Sequence, residues 1–296
     1  MKVLLTGATG QLGCALQMIV PAGIQLIAYK HSQLDLADSD ACRQVVITER
    51  PDWVLNAGAF TGVDKAESES ELAGLINAGA PAAFSEALAN CHGRLLQLST
   101  DFVFSGFQGK PYGVEQKPDP LGVYGRTKAE GEIAALRLPG AKILRTSWVY
   151  GPVGKNFFLT MLRLHASRAA NGESISVVSD QVGCPTATYS LASACWRAIT
   201  SGGDIHQNRV LHWSDAGAAT WYDFAVAIGE LALSAGLIKE SAEIRPIHTV
   251  DYPTPAQRPS YSLLDCASTR KLLRLEPPHW RTALSKVIHS LSPEDI

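Results

Sequence analysis

The sequence has no excess of positive charge. Its 296 residues contain 26 Lys and Arg against 28 Asp and Glu, a formal net charge of -2, and no run of basic residues occurs. Nucleic-acid backbones and anionic membrane surfaces are bound by clustered Lys and Arg, so neither partner is expected. No apolar run approaches the roughly 18 residues of a membrane-spanning helix, and Val3-Leu4-Leu5 is too short for the apolar part of a signal peptide. These absences predict a cytoplasmic protein.

Cysteine is also sparse, and no cysteine stands in a C-x-x-C pair or at zinc-like spacing from a histidine. No internal repeat or low-complexity segment interrupts a composition that is 46% hydrophobic and 18% charged, as in ordinary globular proteins. We therefore expect no metal site and interpret the cysteines as small buried apolar residues. The six positions are Cys14, Cys42, Cys91, Cys184, Cys195 and Cys266.

Short apolar strands alternate with helical stretches through the first 150 residues. This alternation predicts an α/β fold, in which a Rossmann-type doubly wound parallel sheet has helices on both faces. Pro81 is expected to start a new helix within a helical stretch over 66–89. The predicted strands are 2–6, 25–29, 53–56, 94–99 and 141–147, and the other predicted helices are 15–20, 38–49 and 127–136.

The pattern becomes irregular after about residue 150, and proline becomes frequent. Prolines stand at positions 152, 185, 246, 253, 255 and 259. We therefore expect two parts: residues 1–150 as an NAD(P)-binding Rossmann domain, for reasons given next, and residues 151–296 as mainly a smaller substrate-binding lobe, partly threaded back onto the sheet.

The first predicted strand ends in a glycine-rich turn, Thr6-Gly7-Ala8-Thr9-Gly10-Gln11-Leu12-Gly13. In dinucleotide-binding folds the first glycine permits the tight bend, the second lets the backbone approach a pyrophosphate, and the third allows close helix–strand packing. The amides at the start of the following helix face the phosphates. A plain strand-to-helix turn is the alternative, but the place of Gly7, Gly10 and Gly13 between strand and helix favours binding of NADPH or NADH.

The end of the second strand bears on the choice of cofactor. NAD enzymes commonly place a carboxylate there for the ribose 2′-hydroxyl, whereas this sequence reads Tyr29-Lys30-His31 and has no acidic residue before Asp35. Lys30, together with His31, would suit a 2′-phosphate; the alternative for Lys30 is a solvated surface lysine. Asp35, followed by Leu36, is placed to meet the adenine edge.

Tyr124 and Lys128 form a Tyr-x-x-x-Lys pair, which lies on one face of a helix. A free tyrosine has a pKa of about 10, and a neighbouring ammonium favours the phenolate and lowers that pKa. We therefore expect a depressed pKa for Tyr124, which would give its proton to a carbonyl oxygen as hydride reaches the carbon. An exposed helical pair is the alternative.

Ser99-Thr100-Asp101 follows the fourth predicted strand, at the carboxyl edge of the sheet where ligands bind in open α/β folds. The Thr100 hydroxyl can bond the substrate carbonyl and the tyrosine. Asp101 can touch the substrate or hold a neighbouring acid–base group. The alternative role for Thr100 is a helix or turn cap.

Five motifs occur in the order found in one family: T-G-x-x-G-x-x-G from Thr6, N-A-G-A from Asn56, S-T-D-F-V-F from Ser99, Y-G-R-T-K from Tyr124 and R-T-S-W-V-Y-G from Arg145. Y-P-T-P-A-x-R-P follows later, from residue 252. With them the chain resembles, along nearly its whole length, the dTDP-4-dehydrorhamnose reductase family of extended short-chain dehydrogenases/reductases. The resemblance implies NAD(P)H-dependent reduction of the 4-keto group of dTDP-4-dehydro-β-L-rhamnose to dTDP-L-rhamnose, a nucleotide-sugar precursor of polysaccharides.

The resemblance also implies roles for single residues. Tyr124 is the proton donor and Lys128 its partner, and both also contact the cofactor. Thr100, Asp101 and Trp148 contact the sugar, with core packing as the alternative for Trp148. The remaining cofactor contacts are Gln11 and Leu12 at the pyrophosphate, Asp35 and Leu36 at the adenosine, and Gly58, Ala59 and Phe60 along the cofactor.

Some relatives dimerise through glutamates that hold a magnesium ion. The aligned positions here are Ala15, Tyr189 and Arg281, so we expect a monomer or a weak homodimer without a bridging metal, acting on a small-molecule dTDP-sugar. Two further departures from the family pattern are Phe102 in place of Tyr and Phe60 in place of His, and Phe60 makes the cofactor contact there apolar.

Two other functions compete with the reductase. A non-catalytic regulatory subunit, like the β subunit of methionine adenosyltransferase, shares the fold and the cofactor site but needs no acid–base pair. A reductase or epimerase of another nucleotide sugar would use the same Tyr–Lys pair, and an epimerase keeps NAD tightly bound. The presence of Thr100, Tyr124 and Lys128 together favours catalysis.

Overall fold

The computed structural model describes residues 1–201, 208–292 and 294. Its strands are β1 (Lys2–Thr6), β2 (Gln25–Ala28), β3 (Trp53–Asn56), β4 (Arg94–Thr100), β5 (Lys142–Thr146), β6 (Val149–Tyr150), β7 (Ile175–Val178), β8 (Val182–Gly183), β9 (Thr186–Ala187), β10 (Val210–His212), β11 (Ala219–Thr220) and β12 (Ile244–Ile247). Within the described ranges, six of them form a central sheet in the order β2-β1-β3-β4-β5-β10, and every neighbouring pair is parallel. The others form three short pairings, β6 with β9, β7 with β12 and β8 with β11.

The helices are α1 (Gln11–Met18), α2 (Ser39–Glu49), α3 (Val63–Ser68), α4 (Ser70–Gly74), α5 (Ala80–Cys91), α6 (Val123–Ala135), α7 (Phe157–Ala170), α8 (Thr188–Thr200), α9 (Trp221–Ser234), α10 (Ala267–Leu273) and α11 (Trp280–Ile288). None of the helices in the described part of the chain is long and apolar enough to cross a membrane. Among the same residues, no group of three or more His, Cys, Asp and Glu side chains is arranged to hold a metal ion.

Side chains of the sheet alternate between two apolar layers, as the pleat of a strand requires. Leu4 of β1 packs with α2, α5 and α6 on one face, whereas Val3 and Leu5 pack with α1, α8 and α10 on the other. Val54 and Trp53 of β3 divide between the two faces in the same way. Helices therefore cover both faces, which confirms the doubly wound parallel α/β fold.

The stretch predicted to be helical over 66–89 changes its winding in the middle. After α3 and α4 comes a π-helical turn, Leu75–Gly79, and then α5, whose first turn contains Pro81 as predicted. Buried Asn77 in the π turn accepts a hydrogen bond from Phe60 N (3.0 Å) and donates one to Thr127 Oγ1 (3.1 Å). The π turn thus joins the loop after β3 to α6, a contact that helical periodicity does not reveal.

The second half of the chain is more regular than its sequence pattern indicates. It contains three long helices, α7, α8 and α9, of 14, 13 and 14 residues. Phe158, Phe224 and Leu284, from α7, α9 and α11, share one apolar core. By contrast, α8 packs with α1 on the central sheet, and β10 is one of the two edge strands of that sheet. The domain boundary at residue 150 stays a prediction.

Candidate active site

A cleft of about 990 Å³ opens at the carboxyl ends of β1, β3, β4 and β5. The strand order changes direction between β1 and β3, and open α/β sheets bind ligands at such a point. Two predicted site residues, Gly13 and Lys30, do not line the cleft. The predicted residues that line it are Gly7, Gly10, Gln11, Leu12, Asp35, Leu36, Gly58, Ala59, Phe60, Thr100, Asp101, Tyr124, Lys128 and Trp148.

The glycine-rich turn leaves bare backbone on the cleft wall. Gly7 has a φ of +67°, and a Cβ there would come within 2.8 Å of the Gly58 backbone. A Cβ on Gly13 would lie 2.1 Å from Gly7 O, so Gly13 allows α1 to pack against the turn. α1 begins after Gly10 with no side-chain cap and no acidic residue in its first turn. Its positive end therefore suits a pyrophosphate, and the turn fits a dinucleotide.

The turn after β2 places His31, rather than Lys30, on the cleft wall. The Lys30 backbone N–H donates to Gln33 Oε1 (3.1 Å), and the residue is exposed. Asp35 does line the cleft, and its carboxylate accepts from Ala37 N (2.9 Å). Of the two basic residues in this turn, His31 therefore lines the cleft and Lys30 does not.

Replacing His31 with alanine is expected to lower kcat/KM for NADPH roughly 10-fold more than kcat/KM for NADH, because one charge-assisted hydrogen bond to the 2′-phosphate is lost. The matched control is Lys30→Ala, one position earlier, which should change the ratio less than about twofold. Steady-state kinetics with both nucleotides measure the ratio. A larger change at Lys30 than at His31 would overturn this assignment.

Tyr124 and Lys128 lie one turn apart near the start of α6. The buried Lys128 ammonium donates to Leu98 O (2.7 Å), and desolvation lowers the pKa of Lys128 to about 8. Burial raises the pKa of Tyr124 to about 12, and the nearby Thr100 hydroxyl offsets only part of that rise. The expected depression of the Tyr124 pKa was therefore wrong for the chain by itself, since burial, together with the charge of Asp101, raises this pKa and holds Tyr124 as a phenol.

Thr100 ends β4, and Asp101 begins a short 3-10 turn. Thr100 Oγ1 donates to Asp101 Oδ1 (3.0 Å) and accepts from Phe102 N (3.2 Å), so Thr100 also caps this turn. Asp101 is 1% exposed, and burial raises its pKa to about 6 although the Ser262 and Thr100 hydroxyls lower it. The charge of Asp101 in turn raises the pKa of Tyr124. Asp101 thus favours the protonated phenol.

A buried ion pair lies behind the acid–base pair. Glu132, one turn beyond Lys128, accepts from Arg145 Nε (2.8 Å) and Nη2 (2.7 Å), and both side chains are 3% exposed. Ser99 Oγ donates to the same carboxylate (2.5 Å). His212 lies on the other side of Arg145, and burial together with the Arg145 charge lowers the pKa of His212 to about 3. The charge of Glu132 raises the pKa of Lys128, against the effect of burial. Glu132, which the sequence analysis missed, therefore helps to keep the lysine charged.

The start of α6 is held by α3. Glu67 of α3 accepts from Val123 N (2.8 Å), directly before Tyr124. Asp64, on the same helix, accepts from Arg258 Nη2 (2.8 Å) and Nη1 (3.1 Å), and this pairing lowers the pKa of Asp64. Through these contacts α3 ties the loop that carries Arg258, a cleft residue, to the helix that carries the proposed proton donor.

Trp148 and Trp221 form an aromatic pair on the cleft wall. Their ring centroids lie 3.5 Å apart and their planes differ by 4°. Trp148 has a φ of +46°, and a Cβ on Gly183 would come within 2.5 Å of Trp148 Cε2. Left-handed backbone costs a non-glycine residue about 1 kcal/mol or more, so the surrounding packing holds Trp148 in place. The sequence analysis missed Trp221.

Comparisons with known proteins give one family match and several relatives along nearly the whole chain. Residues 1–292 match the model of the family described as RmlD substrate binding domain. The chain is 38% identical to the dTDP-4-dehydrorhamnose reductase of Escherichia coli (strain K12), over 98% of each chain. It is also 38% identical to a Streptomyces antibioticus protein named as a probable dTDP-4,6-dihydroxy-2-methyloxan-3-one 4-ketoreductase, over 96% of this chain and 93% of that one. The solved dTDP-4-dehydrorhamnose reductase of Bacillus anthracis, in complex with NADP, is similar with a TM-score of 0.89 and 32% identity, over 98% of this chain and 99% of that chain.

Proposed function

This chain belongs to the RmlD substrate binding domain family, and we propose that it uses NADPH to reduce the 4-keto group of dTDP-4-dehydro-β-L-rhamnose, giving dTDP-L-rhamnose. The observation that carries the proposal is the convergence of Tyr124, Lys128 and Thr100 in the cleft that also contains the glycine-rich turn. The full-length likeness to reductases of that name, one of them solved with NADP, supports the substrate and the cofactor.

Tyr124 supplies the proton in the proposed reaction. Its raised pKa keeps the phenol protonated at neutral pH, and the phenol is the form that can donate to the carbonyl oxygen. The Thr100 hydroxyl beside it has one proton, which it donates to Asp101 in the free chain and would turn toward the same carbonyl oxygen when substrate binds. The Lys128 ammonium stabilises the phenolate that remains after proton transfer. Bound NADPH supplies the hydride.

The rest of the cleft would hold the cofactor. We assign the pyrophosphate to the backbone of Gly10 and the start of α1. The adenosine is assigned to Asp35 and Leu36, and the side of the cofactor nearer the sugar to Phe60 and Lys128, all of which line the same cleft. With this assignment the reacting end of the cofactor would lie toward Tyr124.

Activity is expected to fall as the pH rises above about 8, the value to which burial lowers the pKa of Lys128. The lysine is charged below its pKa and neutral above it, so at higher pH the phenolate of Tyr124 loses its stabilising ammonium. The measurement is kcat/KM for NADPH against pH, which reports groups of the free enzyme, and a fall of about 10-fold per pH unit is expected.

Lys128→Arg is the matched variant for this profile, because a guanidinium stays charged throughout the range. The variant should be slower than the wild type but show no decline just above pH 8. A wild-type profile that stays level well above this pH, or an arginine variant that declines in parallel, would contradict the role given to the ammonium.

The competing functions give different results with one purified preparation. Stoichiometric consumption of NADPH with formation of dTDP-L-rhamnose supports the reductase. Tightly retained NAD without net consumption of NADPH indicates an epimerase. Cofactor binding without turnover, with co-purification of a synthetase subunit, indicates a regulatory role. The Streptomyces antibioticus relative is named as a 4-ketoreductase of another dTDP-sugar, so that keto sugar is assayed in parallel. A kcat/KM higher than that for dTDP-4-dehydro-β-L-rhamnose would overturn the substrate assignment.

A further inference from the structure

The Trp148–Trp221 pair presents one aromatic wall to the cleft. The rings are in van der Waals contact, with centroids 3.5 Å apart, so no ligand atom fits between them. Both residues are partly exposed, and both line the cleft together with Tyr124. Phe157 packs on Trp221 at 4.6 Å with its plane tilted by 49°. A ligand therefore meets the two indoles from the cleft side, as a single surface.

Each of the two stacked indoles is also held by a contact outside the pair. The Trp221 indole N–H donates to Gln181 Oε1 (3.2 Å). Trp148 has no room to move toward Gly183, where even a methyl group would come within 2.5 Å of the indole. A wall fixed in this way before the ligand arrives loses little conformational entropy on binding.

The aromatic wall lies at the reacting end of the cleft. Trp148 follows β5 by two residues, and Thr146, the last residue of β5, pairs with Thr100 of β4. Thr100 is the hydroxyl beside the proposed proton donor Tyr124. A substrate whose carbonyl oxygen reaches these hydroxyls therefore places its sugar ring, and not its nucleotide base, nearest to the wall.

We propose that Trp221 is a specificity-determining residue that, together with Trp148, binds the apolar side of the 6-deoxyhexose and its methyl group. This inference rests on the proposed function. A 6-deoxy sugar carries a methyl group where common hexoses carry a hydroxyl, and an aromatic surface favours the methyl group while offering a hydroxyl no partner. The wall thus favours the deoxygenated sugar over a hexose with a hydroxyl at the same position.

The test compares the Kd values of dTDP-L-rhamnose and of dTDP, measured by calorimetry in the presence of NADP. Trp221→Ala is expected to raise the Kd of dTDP-L-rhamnose by about 10-fold or more and the Kd of dTDP by less than about twofold, because only the sugar touches the ring. Trp221→Phe should recover part of this affinity and leave a loss of about threefold for dTDP-L-rhamnose alone. The matched control is Phe107→Ala, a ring that is 77% exposed and does not line the cleft, which should change neither Kd.

The outcomes separate this inference from the function on which it rests. An equal rise in the Kd values of dTDP and dTDP-L-rhamnose would place Trp221 at the nucleotide and overturn the inference. Unchanged Kd values for both ligands would also overturn it. Failure of the wild type to bind either ligand would refute the proposed function instead. If Trp221→Ala loses its affinity for NADP and is therefore misfolded, Trp221→Phe decides: an unchanged Kd for dTDP-L-rhamnose overturns the inference, and a selective loss of about threefold supports it.

Discussion

Replacing Tyr124 with phenylalanine is expected to lower kcat by roughly 10²- to 10⁴-fold while leaving the Kd of NADPH nearly unchanged. The change removes only the hydroxyl. The edge-to-face contact with Phe102, at 5.7 Å between ring centroids, can be made by a phenylalanine at position 124 as well as by the tyrosine. Since burial holds the phenol protonated, the lost oxygen is the proton donor itself. Turnover is measured as NADPH oxidation, and cofactor affinity by calorimetry.

Tyr252→Phe is the matched control for this prediction. Its side chain is 60% exposed and does not line the cleft, so kcat should stay within about twofold of the wild type. A parallel loss of kcat and of NADPH affinity in Tyr124→Phe would show that Tyr124 is structural. Nearly full turnover in that variant would show that another group donates the proton.

Replacing Glu132 with glutamine is expected to lower the free energy of unfolding by about 3 to 5 kcal/mol. Glu132 is the only carboxylate that the described contacts give to the Arg145 guanidinium, and both side chains are 3% exposed. The neutral amide leaves a buried positive charge without compensation, which costs more than the ion pair itself contributes. Urea denaturation at neutral pH measures the loss. In the same variant the fall of kcat/KM with pH should move to lower pH, because Glu132 raises the pKa of Lys128.

Glu243→Gln is the matched control, since Glu243 pairs with Arg245 on the surface, where the side chains are 65% and 61% exposed. Its effect should stay below about 1 kcal/mol. The double variant Glu132→Leu, Arg145→Met removes both buried charges and should recover much of the lost stability. An unchanged free energy of unfolding in Glu132→Gln would contradict the explanation that Arg145 is left as an uncompensated buried charge. A double variant that is no more stable than Glu132→Gln would contradict it as well.

Patterns between sequence neighbours predicted the elements that build the floor of the cleft. β1, the glycine-rich turn and α1 follow one another directly, so the apolar run and the spacing of Gly7 and Gly10 predicted them without tertiary information. The start of α2 carried its own signal, because the Asp38 carboxylate accepts from Asp40 N and Ala41 N. Tyr124 and Lys128 were similarly found because one helix carries both.

Burial and contacts between distant segments could not be predicted in this way. Glu132 and Arg145 look like ordinary charged residues in the sequence, and only the packing of α6 beside β5 brings them together. The sequence shows that Lys128 is near Tyr124 but not that Tyr124 is partly buried, and desolvation raises its pKa where the lysine was expected to lower it. Whether Lys30 or His31 faces the cleft depends on the path of the turn after β2.

Trp221 shows which part of a site a local signal can reveal. Thr220 and Asp223 form reciprocal hydrogen bonds at the start of α9, and the T-x-x-D pattern in the sequence is typical of such a helix start. That signal could have placed Trp221 at the first position of a helix. Its stacking on Trp148 depends on where α9 lies relative to the segment after β5, which no local pattern contains.

The most direct test of the reductase is the near-ultraviolet absorbance of NADPH mixed with enzymatically prepared dTDP-4-dehydro-β-L-rhamnose and a catalytic amount of the protein. We expect stoichiometric oxidation of NADPH, dTDP-L-rhamnose as the product, and loss of nearly all of the rate in Tyr124→Phe. NADPH that binds to the protein but is not oxidised in the presence of this keto sugar would contradict the proposed function.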